Sequence, residues 1–349
     1  MQPSLSSLEE RKRRSRNIVF AAFLLLVVIW SVKLAFPHHT LASAYQNSNN
    51  IDSDDMTPLP PPVAAATEPE KSAQAGPTAL DSTKPVTPFN DTQKEKVAVI
   101  IETRFRTNLV PLILHFSSVL GPSWPIIIYT SPEAVGMFVT SAALARYIKI
   151  GTIEIRILPQ ETLFTNSDSV NAFMTNSWLW TNLAPYEHIL IFQSDSMLCA
   201  NAARSVEDFF EYDLVGAPIA ADRGSGYNGG LSLRKRSTIL RVLDRFVWEE
   251  EKHKGAANEN RFEDQYYYNR MKALQDEEAA EDIDPKSEGA INLPTMEVAR
   301  TFSVETIDYP HPLGVHQVHR WLKKQMVSLD DWCPEYKLCS VSYIKDEPA

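Results

Sequence analysis

From residue 96 to residue 192 the chain alternates short, densely apolar runs with longer stretches whose apolar positions recur at helical spacing. KVAVIIE (96–102) is β-branched and apolar, and it leads into the helical pattern of NLVPLILHFSSVLG (108–121). Pro125 to Tyr129 reads as a second strand, EAVGMFVTSAALARYI (133–148) as one helix opened by Ser131 and Pro132, and IEIRILP (153–159) as a third strand ending at Pro159. A helix near Val170 to Leu183 then precedes a fourth apolar run, HILIF (188–192). Strands alternating with helices of this length predict βαβ units, hence an α/β fold with a mostly parallel mixed sheet flanked by helices.

The fourth run passes into the polar tetrad Gln193, Ser194, Asp195, Ser196. In open α/β sheets ligands bind beyond the carboxyl ends of the strands, so Asp195, expected to end the fourth strand, stands where chemistry is expected. Downstream, YDLVGAP (212–218) reads as a short strand, and Gly224, Gly226, Gly229 and Gly230 cluster around Asn228. Glycines at this density allow positive φ and close approach of backbone amides to a ligand, although a β-turn at a sheet edge has the same composition. LSLRKRSTILRVLDRFVWEEEKHK predicts a strand running into an amphipathic helix. A second helix, RFEDQYYYNRMKAL (261–274), opens with Glu263 and Asp264, a placement that also suits the helix macrodipole without any chemistry. YPHPLGVHQVHRWL (309–322) reads as a loop carrying His311, His316 and His319, with His316 and His319 able to line a helix that follows.

Before residue 96 the pattern is different. RKRRSR (11–16) is cationic, and Ile18 to Phe36 is apolar except for Ser31 and Lys33, a length that suits one transmembrane signal anchor with residues 1–17 cytosolic. Ala42, Ser43 and Ala44 also fit the cleavage site of a signal peptide, but the long basic segment and long apolar core favour retention. Residues 37–95 are rich in proline, from Pro58 to Pro88, among Ala, Ser, Thr and Asp; such a composition predicts a disordered stem. Asn90, Asp91 and Thr92 form a glycosylation sequon. The folded domain is expected over 96–345.

Charge and cysteine narrow the chemistry. A net charge of −10 argues against nucleic acid as a partner. DEEAAEDIDPKSE (276–288) holds seven carboxylates and reads as a solvated insertion loop over 275–290. Cys333 and Cys339 suggest a small disulfide loop in an oxidising lumen, with Cys199 packing as a small apolar residue. No G-x-G-x-x-G follows the first strand, and neither G-x-x-x-x-G-K-[ST] nor G-x-S-x-G occurs, which argues against dinucleotide dehydrogenases, P-loop nucleotidases and α/β-hydrolases.

Taken together, the anchor and stem, the acid at the fourth strand, DLVGAP, NGGLSLR, the Glu-Asp helix start and the late histidines resemble the GT-A glycosyltransferases. They most closely resemble a fungal family of glycosyltransferase-like type II membrane proteins described as a domain of unknown function. The resemblance covers about residues 95–325 and implies a Golgi or endoplasmic reticulum enzyme, lumenal beyond its anchor. It implies transfer of a sugar from a nucleotide-sugar donor to a glycan or glycoconjugate acceptor, with inversion weakly preferred. In such enzymes an Asp-x-Asp triplet holds Mn²⁺ or Mg²⁺; the matching residues are Gln193, Ser194 and Asp195, so one acid is missing. Asp195 is then the metal ligand, with His316 and next His311 supplementing it. Gln193, Ser194, Asn228, Gly229, Gly230 and Arg104, or its neighbour Arg106, are implied at the donor and substrate, and Glu263 or Asp264 as the general base. The missing acid leaves open a catalytically silent GT-A domain that binds glycans or scaffolds other enzymes. The three histidines leave open a zinc-dependent lumenal hydrolase.

Overall fold

The computed structural model describes residues 95–340 apart from 105, 107, 255–259, 285–286 and 288. The expected anchor, stem and sequon lie outside these residues, and among the described residues no helix is long and apolar enough to cross a membrane.

Six strands form the main sheet in the order β3-β2-β1-β4-β7-β6. They are β1 (Lys96–Ile101), β2 (Ile126–Thr130), β3 (Ile153–Ile157), β4 (His188–Phe192), β6 (Leu214–Pro218) and β7 (Tyr227–Lys235). The first four pair in parallel, β7 runs antiparallel to both neighbours, and the sheet is therefore mixed with one reversed strand. β2 and β4 are buried along their whole length, as continuous apolar strands covered on both faces must be. A small second sheet, β5-β9-β8, is made of β5 (Ser196–Leu198), β8 (Ser303–Val304) and β9 (Gly314–His316).

Several local expectations are corrected. The stretch after Ser131 is two helices, Pro132–Val139 and Ala142–Lys149, because the Ser141 side chain accepts the Leu144 N–H and starts a new helix. The helix expected near Val170 to Leu183 is likewise two, Ser167–Met174 and Ser177–Asn182, each with an asparagine cap, Asn166 and Asn176. The acidic stretch is a loop only beyond its first residues, since the helix Glu263–Ala280 runs through residues 275–280 and the described residues from 281 to 289 are exposed and non-helical. Arg241 pairs with Glu278 at 2.7 Å, Arg245 pairs with Glu277 at 2.6 Å, and the Ile291 N–H donates to Glu278, which binds this end to the helix Arg236–Arg245.

The disulfide pairing also differs: Cys199 joins Cys333, with Cα atoms 4.8 Å apart, and Cys339 is a buried free thiol. Sequence distance misled here because β5 lies against the C-terminal helices, which places the remote cysteine nearer than the adjacent one. The bridge ties the segment after β9 to the strand that follows Asp195.

Candidate functional site

β4 ends at Phe192, so Asp195 does not terminate a strand but sits in the turn joining β4 to β5. The turn is closed by the Ser196 N–H on the Gln193 carbonyl and by the Ser196 hydroxyl on the same oxygen at 2.8 Å, while the Gln193 N–H donates to the Gly230 carbonyl of β7. Its backbone is thus fixed to both sheets, with Ser196 facing His316 in the β5–β9 pairing.

That pairing brings together residues far apart in the chain. His316, in strand β9 and not in a loop or helix, places Nε2 3.3 Å from Asp195 Oδ1 and Nδ1 3.4 Å from Glu305 Oε1. Both ring nitrogens are buried and neither meets hydrogen-bond geometry. Burial alone would lower the imidazole pKa, but the two carboxylates outweigh it and push it up to about 9. For Asp195 burial acts upward, and the His316 ring with the Gln317 amide more than offsets it, holding the carboxyl at about 2. Gln317 donates to Asp195 Oδ2 at 2.9 Å, and its backbone N–H donates to the Asp195 carbonyl. It does so from a left-handed backbone, φ 45°, which a non-glycine residue adopts at a cost and which is commonly found at functional sites.

The glycine cluster is a strand and not a loop. Asn228, Gly229 and Gly230 lie in β7, and positive φ is confined to Gly224 and Gly226 upstream. Gly229 and Gly230 are needed for close approach instead. A Cβ at Gly229 would stand 2.5 Å from the Arg234 guanidinium, and one at Gly230 would stand 2.1 Å from His316 Nε2. Gly230→Ala is expected to push the buried ring away from Asp195 and destabilise the fold by about 1–3 kcal/mol, as read by a thermal melt. Asn228 accepts the Gly230 N–H through Oδ1 at 2.8 Å, so its carbonyl group is committed to the strand.

Opposite β7 the helix Glu263–Ala280 presents its first turn. Arg234, fully buried, makes a two-pronged contact with Glu263 at 2.7 and 3.0 Å. Both Glu263 oxygens are therefore engaged by the guanidinium. Asp264, partly buried at the cleft, accepts the Gly229 N–H through Oδ2 at 3.0 Å and the Gln265 N–H through Oδ1 at 2.8 Å. Burial, followed by the Glu263 charge, raises its carboxyl to about 6 against those two N–H groups.

Two cavities meet over Gln193, Gly229 and Glu263. One runs from Gln193, Ser194 and Asp195 toward Arg104 and Arg106, with Phe164 and Phe173 on its apolar wall. The other is lined by Asn228, Asp264, Glu305, His316 and Gln317. Arg104 is at the first cavity, where its side chain is 74% exposed and lies 3.6 Å from Glu102. His311 does not join the site: it is exposed, packs on Trp332 and lines a different cavity with Arg204 and Tyr309. No group of three or more metal-ligating side chains occurs among the described residues. Glu305 and Gln317 carried no sequence signal of their own, since each acquires its role from a partner at least 11 positions away, whereas Arg234 closes the NGGLSLR motif without its pairing being legible there.

Residues 152–316 match the model of a family described as a protein of unknown function, DUF5672. No curated protein matches the chain. Among solved structures, the chain is similar to the apo-form glycosyltransferase GlyE of Streptococcus pneumoniae TIGR4, with 13% identity, 68% of this chain and 63% of that one covered, and a TM-score of 0.33. It is also similar to residues 1–349 of S. aureus TarS (12%, 52% and 55%, TM-score 0.31). A third is a glycosyltransferase involved in glycosylation of the major capsid of PBCV-1 (12%, 67% and 98%, TM-score 0.35). The chain thus spans less than two thirds of GlyE and TarS, and TM-scores this low do not establish a shared fold.

Proposed function

We propose that the domain is a glycosyltransferase, taking a nucleotide sugar in the cavity beside Arg104 and Asp195 and an acceptor hydroxyl in the cavity beside Asp264. The observation that carries this reading is the approach of His316 to Asp195 across the two sheets, at the point where both cavities open. Asp195 would supply a hard oxygen to Mn²⁺ or Mg²⁺, and His316 Nε2, which makes no hydrogen bond, would join it on giving up its proton. When bound, such an ion stabilises the negative charge on a leaving diphosphate.

The protein's own groups do the rest. Glu305 at Nδ1 holds the His316 ring with Nε2 toward Asp195, and Gln317 keeps the Asp195 carboxylate from rotating. Phe164 and Phe173 offer an apolar wall to a nucleoside base, with Arg104 or Arg106 able to reach phosphate. Asp264 takes the proton of the acceptor hydroxyl as it attacks the sugar, which favours inversion. With its carboxyl near 6, it is ionised at neutral pH yet basic enough to accept a proton.

Asp264→Asn keeps the shape and an acceptor for the Gly229 N–H. It is expected to lower transfer by about 10²–10⁴-fold with little change in the unfolding midpoint. The wild-type rate, limited by an ionised base, is expected to fall as pH drops through about 6, and this limb should vanish in the variant. A pH-independent rate between pH 5 and 8 would remove Asp264 as the base.

The Cys199–Cys333 bridge supports an oxidising compartment, consistent with a lumenal domain behind a type II anchor in the Golgi or endoplasmic reticulum. The silent alternative keeps one specific support: Gln193, where an acid would strengthen a metal site, turns an exposed amide to the cleft. Calorimetric titration of nucleoside diphosphates into the full chain, with and without Mn²⁺, separates the two. Metal-dependent binding supports the enzyme, and its absence for all common bases abandons it.

A further inference from the structure

Along the outer rim of the acceptor-side cavity, two guanidinium groups from different parts of the chain converge on one indole. Arg223 lies 4.0 Å and Arg320 4.4 Å from the Trp321 ring centroid, and all three side chains line the cavity that also holds Asp264. Their backbones are fixed before any ligand arrives. Arg223 sits in a turn closed by its own N–H on the Ala220 carbonyl, and the Ile219 N–H donates to the Gly226 carbonyl. The Ala220 N–H donates to the Thr306 hydroxyl, which anchors the turn to the segment after β8. Arg320 donates to the Gln317 side chain, the same residue that grips Asp195.

The charges themselves are poorly neutralised. The carboxylate partner of Arg223 is Asp222, 3.9 Å away and 76% exposed, and a solvent-screened pair of that kind contributes little. Arg320 begins a run in which Lys323 and Lys324 are also exposed, in a chain of net charge −10. The Trp321 indole N–H is buried and has no acceptor among the described residues. Two like charges held on one aromatic ring repel each other, and an anion bound at the guanidinium groups offsets that repulsion while engaging forked N–H donors.

We infer that Arg223, Trp321 and Arg320 form an anion subsite that binds a phosphate or carboxylate group on the substrate. Resting on the transferase reading above, the subsite makes the acceptor an acidic glycan or glycoconjugate, held so that a neighbouring hydroxyl faces Asp264. The same chemistry has a second source in the donor diphosphate, since Gln317 connects the rim to Asp195.

The full chain and its R223Q/R320Q variant are compared by calorimetry against inorganic phosphate, glucuronate, glucose and UDP with Mn²⁺. Both arginines are exposed, and equal melting temperatures check that the variant is folded. Loss of phosphate binding by roughly tenfold or more in the variant is the expected result, because charge-assisted bonds at two guanidinium groups are removed. An accompanying loss of the preference for glucuronate over glucose, with UDP unchanged, assigns the subsite to the acceptor as inferred. Weakening of UDP with the glucuronate preference intact overturns the acidic acceptor and gives the subsite to the donor. Equal binding of every probe by both proteins overturns the subsite itself. A wild type that ignores UDP sinks the transferase reading separately, and the phosphate comparison still decides the rim.

Discussion

Replacing Glu263 by alanine is expected to destabilise the folded domain by about 3–5 kcal/mol, because it strips the charged partner from a guanidinium with no route to water. Arg234 is fully buried and spends both terminal nitrogens on Glu263; what remains is the Ser232 hydroxyl at 3.0 Å and the rings of Trp180 and Tyr267 at 5.8 and 5.6 Å. Those rings attract a cation, but by an amount well below the cost of an unpaired buried charge. Chemical denaturation reads the effect as a lower midpoint with an unchanged slope. Glu263→Gln, which keeps the volume and one acceptor, is expected to lose less. A shift below about 1 kcal/mol for the alanine variant would show that water reaches Arg234, and the account of β7 would fail. The contrast with Asp264→Asn tests the proposed division of these adjacent carboxylates into a structural acid and a base.

Asp195→Ala is the second large effect, and it falls on activity. Metal-assisted stabilisation of a leaving diphosphate is worth several kcal/mol, so transfer is expected to fall by about 10²–10³-fold or more. The Mn²⁺ dependence of nucleotide binding should disappear with it. Stability should change far less, because the Gln317 N–H still finds the backbone carbonyl at 195 and His316 still faces Glu305. Retained Mn²⁺-dependent nucleotide binding in this variant would dismiss Asp195 as a ligand and leave the silent reading in its place. Asp195→Asn adds a useful control, since it keeps the Gln317 contact while removing the charge.

The strand and helix sequence of the α/β domain was legible from residue pattern because apolar runs such as HILIF, and KVAVII between its two end residues, are buried. The breaks inside two helical stretches were not, since Ser141 and Asn176 act through caps that weigh little in a periodicity. Asp195, His316 and Asp264 were legible as polar groups at ends of elements, and NGGLSLR as a constrained stretch. The close approach expected at Gly229 and Gly230 is to the side chains of Arg234, Glu263 and His316, within a strand and not a β-turn.

What the sequence by itself determined is therefore the order of elements and the supply of reactive side chains, both set by local pattern and chemistry. Which of those side chains meet was decided only in three dimensions. The pairing of β5 with β9 carries Gln317 to Asp195 across 122 positions, sets Cys199 on Cys333, and leaves His311 outside. That Glu263 pairs with a buried arginine while Asp264 meets backbone N–H groups followed only from the packing of their helix on β7. Contacts between distant segments depend on how sheets and helices pack, and neighbouring residues in a chain carry no record of that packing.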